Sequence, residues 1–86
     1  MTAEQLITVT AMLSVGEINT IHSIPGHPGV GGPCQRVGII ISGDKFEVDV
    51  AVNGNVQAWS DGARPGGMVH RVDNMIMKAR AKRVAA

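Results

Sequence analysis

Every second side chain of residues 45–52 is large and apolar, and this alternation constrains the fold more than any other feature of the chain. The apolar positions recur every two residues, which is the period of a half-buried β-strand, and they are Phe46, Val48, Val50 and Val52. The apolar run 37–41 precedes Gly43-Asp44, which has the glycine-first form of a two-residue type II′ turn. We therefore predict a β-hairpin that pairs Ser42 with Lys45, Ile41 with Phe46, Ile39 with Val48 and Val37 with Val50.

A second hairpin is predicted at Asn53-Gly54, the strongest short turn signal in the chain. A two-residue turn there pairs Asn55 with Val52, Gln57 with Val50 and Trp59 with Val48. Trp59 then lies on the apolar face of the sheet, and Gln57 lies there too. The alternative interpretation is a bulge within one longer strand.

The first 24 residues are open to two interpretations. Apolar residues alternate from Ile7 to Val15 with a β-branched cluster at 7–10, which favours a strand. Ser14 to Glu17 then has the pattern of a capping box that opens a short helix ending near Ser23. The alternative is a longer helix capped by Thr2. We favour the strand followed by the helix.

Loops and a final helix complete the predicted organisation. The glycine- and proline-rich segments 25–33 and 60–67 predict loops. An apolar stripe at helical spacing predicts a helix over 68–84, and its members are Met68, Val69, Val72, Met75, Ile76 and Ala79. The order is then β-α-loop-β-β-(β)-α. This predicts an α+β fold, in which a small antiparallel sheet of two to four strands carries a short N-terminal helix and a C-terminal amphipathic helix on one face.

Composition indicates one small domain over residues 1–86, with a basic tail at 79–86 that we expect to fray. The chain is 44% hydrophobic but has one Phe, one Trp and no Tyr. A domain of this size buries a limited core, so we predict self-association into a dimer or larger. One cysteine excludes an internal disulfide framework. The start lacks a signal-peptide pattern and no run approaches about 18 apolar residues, so we expect a cytoplasmic protein without a transmembrane segment.

The charge of the chain is unevenly distributed. Residues 1–62 carry two basic and six acidic side chains, whereas 63–86 carry six basic and one acidic. The six cations of the second part form a candidate site for an anionic partner or polyanion, and they are Arg64, Arg71, Lys78, Arg80, Lys82 and Arg83. Nucleic acid is a possible partner, although aromatic residues for base stacking are nearly absent. A solvated helix end or a contact with a protein partner accounts for the cations equally well.

The histidines, the cysteine, the paired acids and the glycine-rich loop are the other candidates for a chemical site. His22, His27 and Cys34 could ligate a metal, but they lack paired short spacings and are fewer than the four ligands of a structural zinc site. The spacing of residues around Cys34 does not indicate a general base that would activate its thiol as a nucleophile. Glu47 and Asp49 are expected to point into solvent together. The glycines of 25–33 match no phosphate-binding loop, because a strand follows them where such a loop requires a helix. We predict no catalytic residue, metal or cofactor.

Three short elements from Ile18 onward form a pattern that is known from one protein family. Residues 21–24 lead through 25–28 to Gly29-Val30, 46–52 form a valine-rich strand, and 61–65 precede 69–72 at the start of the last helix. Together they resemble the alkaline-shock family of envelope-stress proteins, although Asn53-Gly54 interrupts the strand that is continuous in that family. The resemblance implies a self-associating protein without catalytic residues that works near the envelope through a membrane-anchored partner.

The sequence thus predicts a non-catalytic protein-binding or scaffolding module that binds itself, another protein, or both. Its expected interface residues are Trp59, Met68 and Met75. One alternative is a nucleic-acid-associated accessory protein that uses the basic C-terminal helix. Another is a small phage-type protein, either a virion component or an inhibitor of a host complex.

Overall fold

A computed structural model describes residues 1–27, 30–60 and 66–85 of the chain. Its elements are α1 (Ala3–Met12), β1 (Glu17–His27), β2 (Gly32–Ile41), β3 (Asp44–Ala51), β4 (Val56–Ser60) and α2 (Gly66–Ala85). The strands form one antiparallel sheet in the order β1-β2-β3-β4. This confirms the predicted α+β class with one helix at each end of the sequence. The predicted order of elements in the N-terminal third is wrong.

Helix α1 replaces the strand that we favoured at 7–15. The Thr2 hydroxyl accepts a hydrogen bond from the Gln5 amide, and the Gln5 side chain accepts one from the Thr2 amide, which completes a capping box. The Thr8 hydroxyl also donates to the Gly54 carbonyl at 2.7 Å. The cap and this tertiary contact outweigh the strand propensity of the β-branched residues. Thr2 therefore caps a helix, as in the alternative interpretation, but the helix has only 10 residues.

Strand β1 replaces the predicted helix near 14–23 and extends into the segment predicted as a loop. Gly26 has a φ of +100°, and a Cβ there would collide with the Gly32 carbonyl of the neighbouring strand. Glycine at this position lets the strand continue to His27 beside β2. The predicted loop at 25–33 is thus too long at both ends, since β2 begins at Gly32.

The hairpin of β2 and β3 is confirmed, but its turn lies one residue earlier than predicted. Ser42 and Gly43 occupy the turn with φ values of 52° and 82°, which is typical of a type I′ turn. The pairs are consequently Ile41 with Asp44, Ile39 with Phe46 and Val37 with Val48. Each partner has shifted by two residues, so every side chain stays on its predicted face.

The hairpin of β3 and β4 differs from the prediction by one residue, and this changes which face β4 presents. The Gly54 amide donates to the Ala51 carbonyl and the Ala51 amide to the Asn55 carbonyl, both at 2.8 Å, which closes a three-residue turn. Gly54 adopts a φ of +87° in this turn. Val48 now pairs with Ala58, so Trp59 and Gln57 lie on the face opposite the core. The predicted place of Trp59 on the apolar face is wrong.

The core lies between the helices and one face of the sheet, which we call the inner face. It is formed by Val9, Met12, Val37, Ile39, Phe46, Val48, Val50, Ala58, Val72 and Ile76. The predicted helix at 68–84 is confirmed as α2, and fraying of residues 79–86 stays a prediction. The Asp73 carboxylate of α2 accepts a hydrogen bond from the Ala58 amide of edge strand β4 at 2.7 Å. Residues 61–65 of the second predicted loop lie outside the described residues.

Neither helix is suited to crossing a membrane: within the described ranges, no helix is both long enough and apolar enough.

Candidate functional site

A groove lies between the C-terminal half of α2 and the residues that join α1 to β1. It has a volume of about 710 Å³ and is lined by Ser14, Val15, Met75, Lys78, Ala79, Lys82 and Arg83. We call it the basic groove. Its volume falls within the roughly 300–1,000 Å³ typical of ligand pockets.

Helical spacing separates the basic groove into an apolar floor and a charged rim. Met75 and Ala79 are four residues apart on α2, and so are Lys78 and Lys82, so each pair forms a row along the helix. Val15 adds an apolar side chain from the other wall and packs against the core. Among the described residues, none of the three lining cations forms an ion pair. The groove therefore offers apolar contact and unpaired positive charge side by side.

The structure brings together only part of the predicted cationic site. Lys78, Lys82 and Arg83 line the basic groove, whereas Arg71 is exposed elsewhere on α2. Arg64 lies outside the described residues. Arg80 points away from the groove, as its contacts show.

Arg80 connects the two helices to the β3–β4 turn. Its guanidinium donates to the Glu4 carboxylate of α1 and, at 3.4 Å, to the Asn53 carbonyl of the turn. The guanidinium also lies directly over Gly54, where an added Cβ would come within 2.8 Å of Arg80 Nε. Arg80 is thus occupied by structural contacts, which removes one cation from the predicted polyanion site.

The three predicted interface residues are in three different surroundings. Met75 lines the basic groove. Met68 is half-buried at the start of α2 and is not part of the groove lining. Trp59 belongs to a second site, which lies on the outer face of the sheet, opposite the helices.

This second site is a carboxylate cluster made of one residue from each strand: His27, Arg36, Asp49 and Trp59. Arg36 donates to both oxygens of Asp49, at 2.8 and 3.0 Å. The same carboxylate lies 2.6 Å from His27 Nε2 and accepts a hydrogen bond from Trp59 Nε1 at 3.2 Å. The rings of His27 and Trp59 meet edge to face, with centroids 5.6 Å apart. All four strands are linked through one carboxylate.

Asp49 is completely buried although it lies on the outer face, so the prediction that it points into solvent with Glu47 is wrong. Burial by itself raises the pKa of the Asp49 carboxyl, but the hydrogen bonds from Arg36 and His27 outweigh it and bring the pKa below its ordinary value. The bond to Asp49 in turn raises the pKa of Arg36. Asp49 is therefore ionised and held by charged and polar donors, which is typical of a structural carboxylate.

The sequence contains one signal for this cluster, which becomes visible only in the observed register. Asp49 interrupts a row of valines, and Arg36 is its direct partner on β2. A cross-strand pair of opposite charges is stabilising in an antiparallel sheet. The predicted turn placed Asp49 opposite Gly38, so the pair could not be recognised without the correct register.

The remaining chemical candidates are separated from one another. Cys34 is buried, and the pKa of its thiol is raised by burial and by the nearby Asp49 charge, which keeps the thiol protonated. His22 is exposed on β1, whereas His27 contacts Asp49. Across the part of the chain that the structure describes, no three His, Cys, Asp or Glu side chains are placed to hold a metal ion.

Comparison with known proteins gives no match for this chain, either among protein-family models, among curated proteins or among solved structures. The resemblance to the alkaline-shock family stays a prediction.

Proposed function

We propose that this chain is a non-catalytic protein-binding module that holds an acidic segment of a partner protein in the basic groove. We base this on one observation: Lys78, Lys82 and Arg83 border an apolar floor and have no acidic partner within the described residues. Protein interfaces combine a buried apolar centre with a polar rim in the same way. Cations at the rim accelerate association with an acidic partner and favour it over other proteins.

A polypeptide suits the basic groove better than a nucleic acid does. Single-stranded nucleic acids bind where cations accompany exposed aromatic rings, on which the bases stack. The lone tryptophan lies on the outer face, away from the groove, and its indole donates to Asp49. Arg80 is paired to Glu4, so three cations are available at the basic groove. The apolar floor beside them would not contribute to contacts with phosphates.

A different protein suits the basic groove better than a second copy of this chain. Within the described residues, most acidic side chains already have a partner. Glu4 pairs with Arg80, Asp49 with Arg36 and His27, and Asp73 with the Ala58 amide, while Glu47 lies 3.8 Å from Arg36. A second copy would therefore have to break existing contacts to supply most of these acids. Self-association remains a prediction that light scattering tests.

The carboxylate cluster supports a non-catalytic role. A general base needs a lone pair that can reach a substrate proton. Both oxygens of Asp49 accept hydrogen bonds from the protein, and the carboxylate is fully buried. Cys34 is likewise buried and protonated. We therefore assign the cluster a structural role and the binding role to the groove.

Fluorescence anisotropy with labelled anionic probes tests the proposal. The probes are a peptide of about 20 residues made of Glu, Leu and Ala, a duplex DNA, a single-stranded RNA and vesicles containing anionic lipid. The protein is compared with the double variant Lys78→Glu/Lys82→Glu. The matched control is Lys45→Glu/Arg71→Glu, which reverses two exposed cations outside the groove.

We expect the peptide to bind, and its affinity to fall at least about tenfold in the groove variant while the control changes it less than about threefold. Equal loss in both variants would show that only net charge matters and would contradict the proposal. Tighter binding of DNA or RNA than of the peptide, with the same dependence on Lys78 and Lys82, would favour the nucleic-acid alternative. Preferential binding of vesicles would point to a membrane surface.

A further inference from the structure

The backbone around the basic groove indicates the conformation of its occupant. The Ser14 and Val15 amides donate to the Ala11 and Met12 carbonyls, and the Ser14 hydroxyl also donates to Ala11. The other wall is helix α2, whose amides bond within the helix and whose carbonyls do so as far as its last turn. Within the described residues, the amides of both groove walls therefore already have partners, and neither wall offers the alternating free amides and carbonyls of a sheet edge.

An extended peptide would bind poorly between such walls. Strand recognition depends on main-chain hydrogen bonds to an exposed sheet edge. In the basic groove the main chain of an extended peptide would lose water without gaining partners, at a cost for each buried group. A helix satisfies its own backbone and needs only side-chain contacts.

The arrangement of the lining residues leads to the same conclusion. The floor row Met75 and Ala79 runs beside the cationic row Lys78 and Lys82, and both repeat every four residues. Residues in such a row are separated by about 6 Å along a helix axis. A partner helix presents an apolar row and an acidic row side by side with the same repeat. A strand presents only every second residue to one side, in a single row.

From these observations, and resting on the proposed function, we infer that the occupant of the basic groove is an amphipathic helix with acidic residues along one border of its apolar stripe. It packs along α2 between Met75 and Arg83, over about two turns of that helix. Its apolar residues contact Val15, Met75 and Ala79, and its carboxylates meet the rim cations.

A set of four peptides tests the conformation. The first has about 18 residues. Its Leu residues follow the spacing i, i+4, i+7, which forms one apolar stripe along a helix, and a Glu stands next to each Leu. The second contains the same residues in an order that removes the stripe. The third is the first peptide with one central residue replaced by Pro. The fourth is the first peptide with every Glu replaced by Gln. Affinity is measured by anisotropy, helix content by circular dichroism, and the bound surface by amide chemical shifts.

We expect the first peptide to gain helix content on binding and to shift the amide resonances of Val15, Met75 and Ala79. The Pro peptide should bind at least about tenfold more weakly, because Pro breaks the helix without changing its charge. The Gln peptide should also bind more weakly. Met75→Ala should weaken binding, whereas Met68→Ala, outside the groove, should leave it unchanged.

The outcomes separate this inference from the proposed function. If the reordered and Pro peptides bind as well as the first and Lys78→Glu/Lys82→Glu still abolishes their binding, the groove binds acidic segments but the helical occupant is wrong. If none of the Glu-containing peptides binds the folded protein, both ideas are wrong. Shifts confined to residues outside the groove would likewise contradict both.

Discussion

The two faces of the sheet are stabilised in different ways. The inner face is built from aliphatic side chains and Phe46, which are excluded from water beneath the helices. The outer face carries an ionised aspartate at its centre, covered by Arg36, His27 and Trp59. Asp49 lies between Val48 and Val50 in β3, so consecutive residues of one strand serve both arrangements.

This contrast shows how a small domain with few aromatic residues uses both sides of a sheet. Apolar burial is non-directional, so the inner face tolerates exchanges of similar volume. Charge-assisted hydrogen bonds depend on position, and Asp49 can accept from all three partners only in the observed register. We therefore expect the inner face to supply most of the folding free energy and the outer face to favour the observed register.

The largest effect is expected from truncation on the inner face. Phe46 is the only phenylalanine and is 2% exposed within the core. Phe46→Ala should lower the free energy of unfolding by about 3–5 kcal/mol, because it removes buried apolar surface and leaves a cavity. Urea denaturation followed by circular dichroism measures this. A loss below that of Asp49→Ala would reverse the proposed ranking of the two faces.

A somewhat smaller loss is expected when the carboxylate cluster is removed. Asp49→Ala leaves the Arg36 guanidinium and the Trp59 indole without their acceptor and should cost about 2–3 kcal/mol. The cost stays below that of a fully buried ion pair because the Arg36 side chain is 31% exposed and can return to water. The control is Glu47→Ala, on the same strand and face but 62% exposed, which should change stability by less than about 0.5 kcal/mol. Equal effects of the two variants would show that the cluster adds nothing.

Acid should lower the stability of the fold through the outer face, where the ionised Asp49 carboxylate lies. The pKa of Asp49 is lower in the folded chain than its ordinary value, so its ionised form stabilises the fold. This stability is complete above the ordinary pKa of 3.8 and is lost as the pH falls through the lower folded value. The pKa of Asp73 is raised by burial, so this group acts with the opposite sign and stabilises the fold on protonation. Urea midpoints measured against pH should fall less steeply on the acid side for Asp49→Ala than for the natural chain, and parallel curves would refute this.

The inner face could be predicted from the sequence because its signal is periodic. The alternation around Val48 determines which residues of β3 face the core. A change in turn position leaves these faces unchanged when it shifts the strand pairing by an even number of residues. The shift of the first turn from Gly43-Asp44 to Ser42-Gly43 was of this kind, and the predicted faces survived.

The outer face could not be predicted, because it depends on the register itself. The extra residue in the β3–β4 turn moved Trp59 from one face to the other and brought it to Asp49. Similarly, the strand propensity of residues 7–10 concealed α1, whose formation depends on the Thr2 cap and on a contact between Thr8 and Gly54. For the basic groove, the cations of α2 were predicted, but the diversion of Arg80 to Glu4 follows only from the tertiary structure.

The smallest effects concern two cations that are two residues apart on α2 and therefore point in different directions. Arg80→Ala removes hydrogen bonds to Glu4 and Asn53 and should cost about 1 kcal/mol, a modest value since the Glu4 side chain is 50% exposed. Lys82→Ala should change stability by less than about 0.5 kcal/mol but weaken binding of the acidic peptide. Thermal denaturation and anisotropy on both variants test this division, and a stabilising role for Lys82 would refute it.

The lone tryptophan has a practical consequence for spectroscopy. Because Trp59 donates to Asp49 on the side of the sheet that faces away from both helices, we expect its fluorescence to report on strand pairing at the outer face. Ellipticity near 222 nm, in contrast, is dominated by α1 and α2. Coincident melting curves from the two signals would therefore demonstrate that helices and sheet unfold as one cooperative unit.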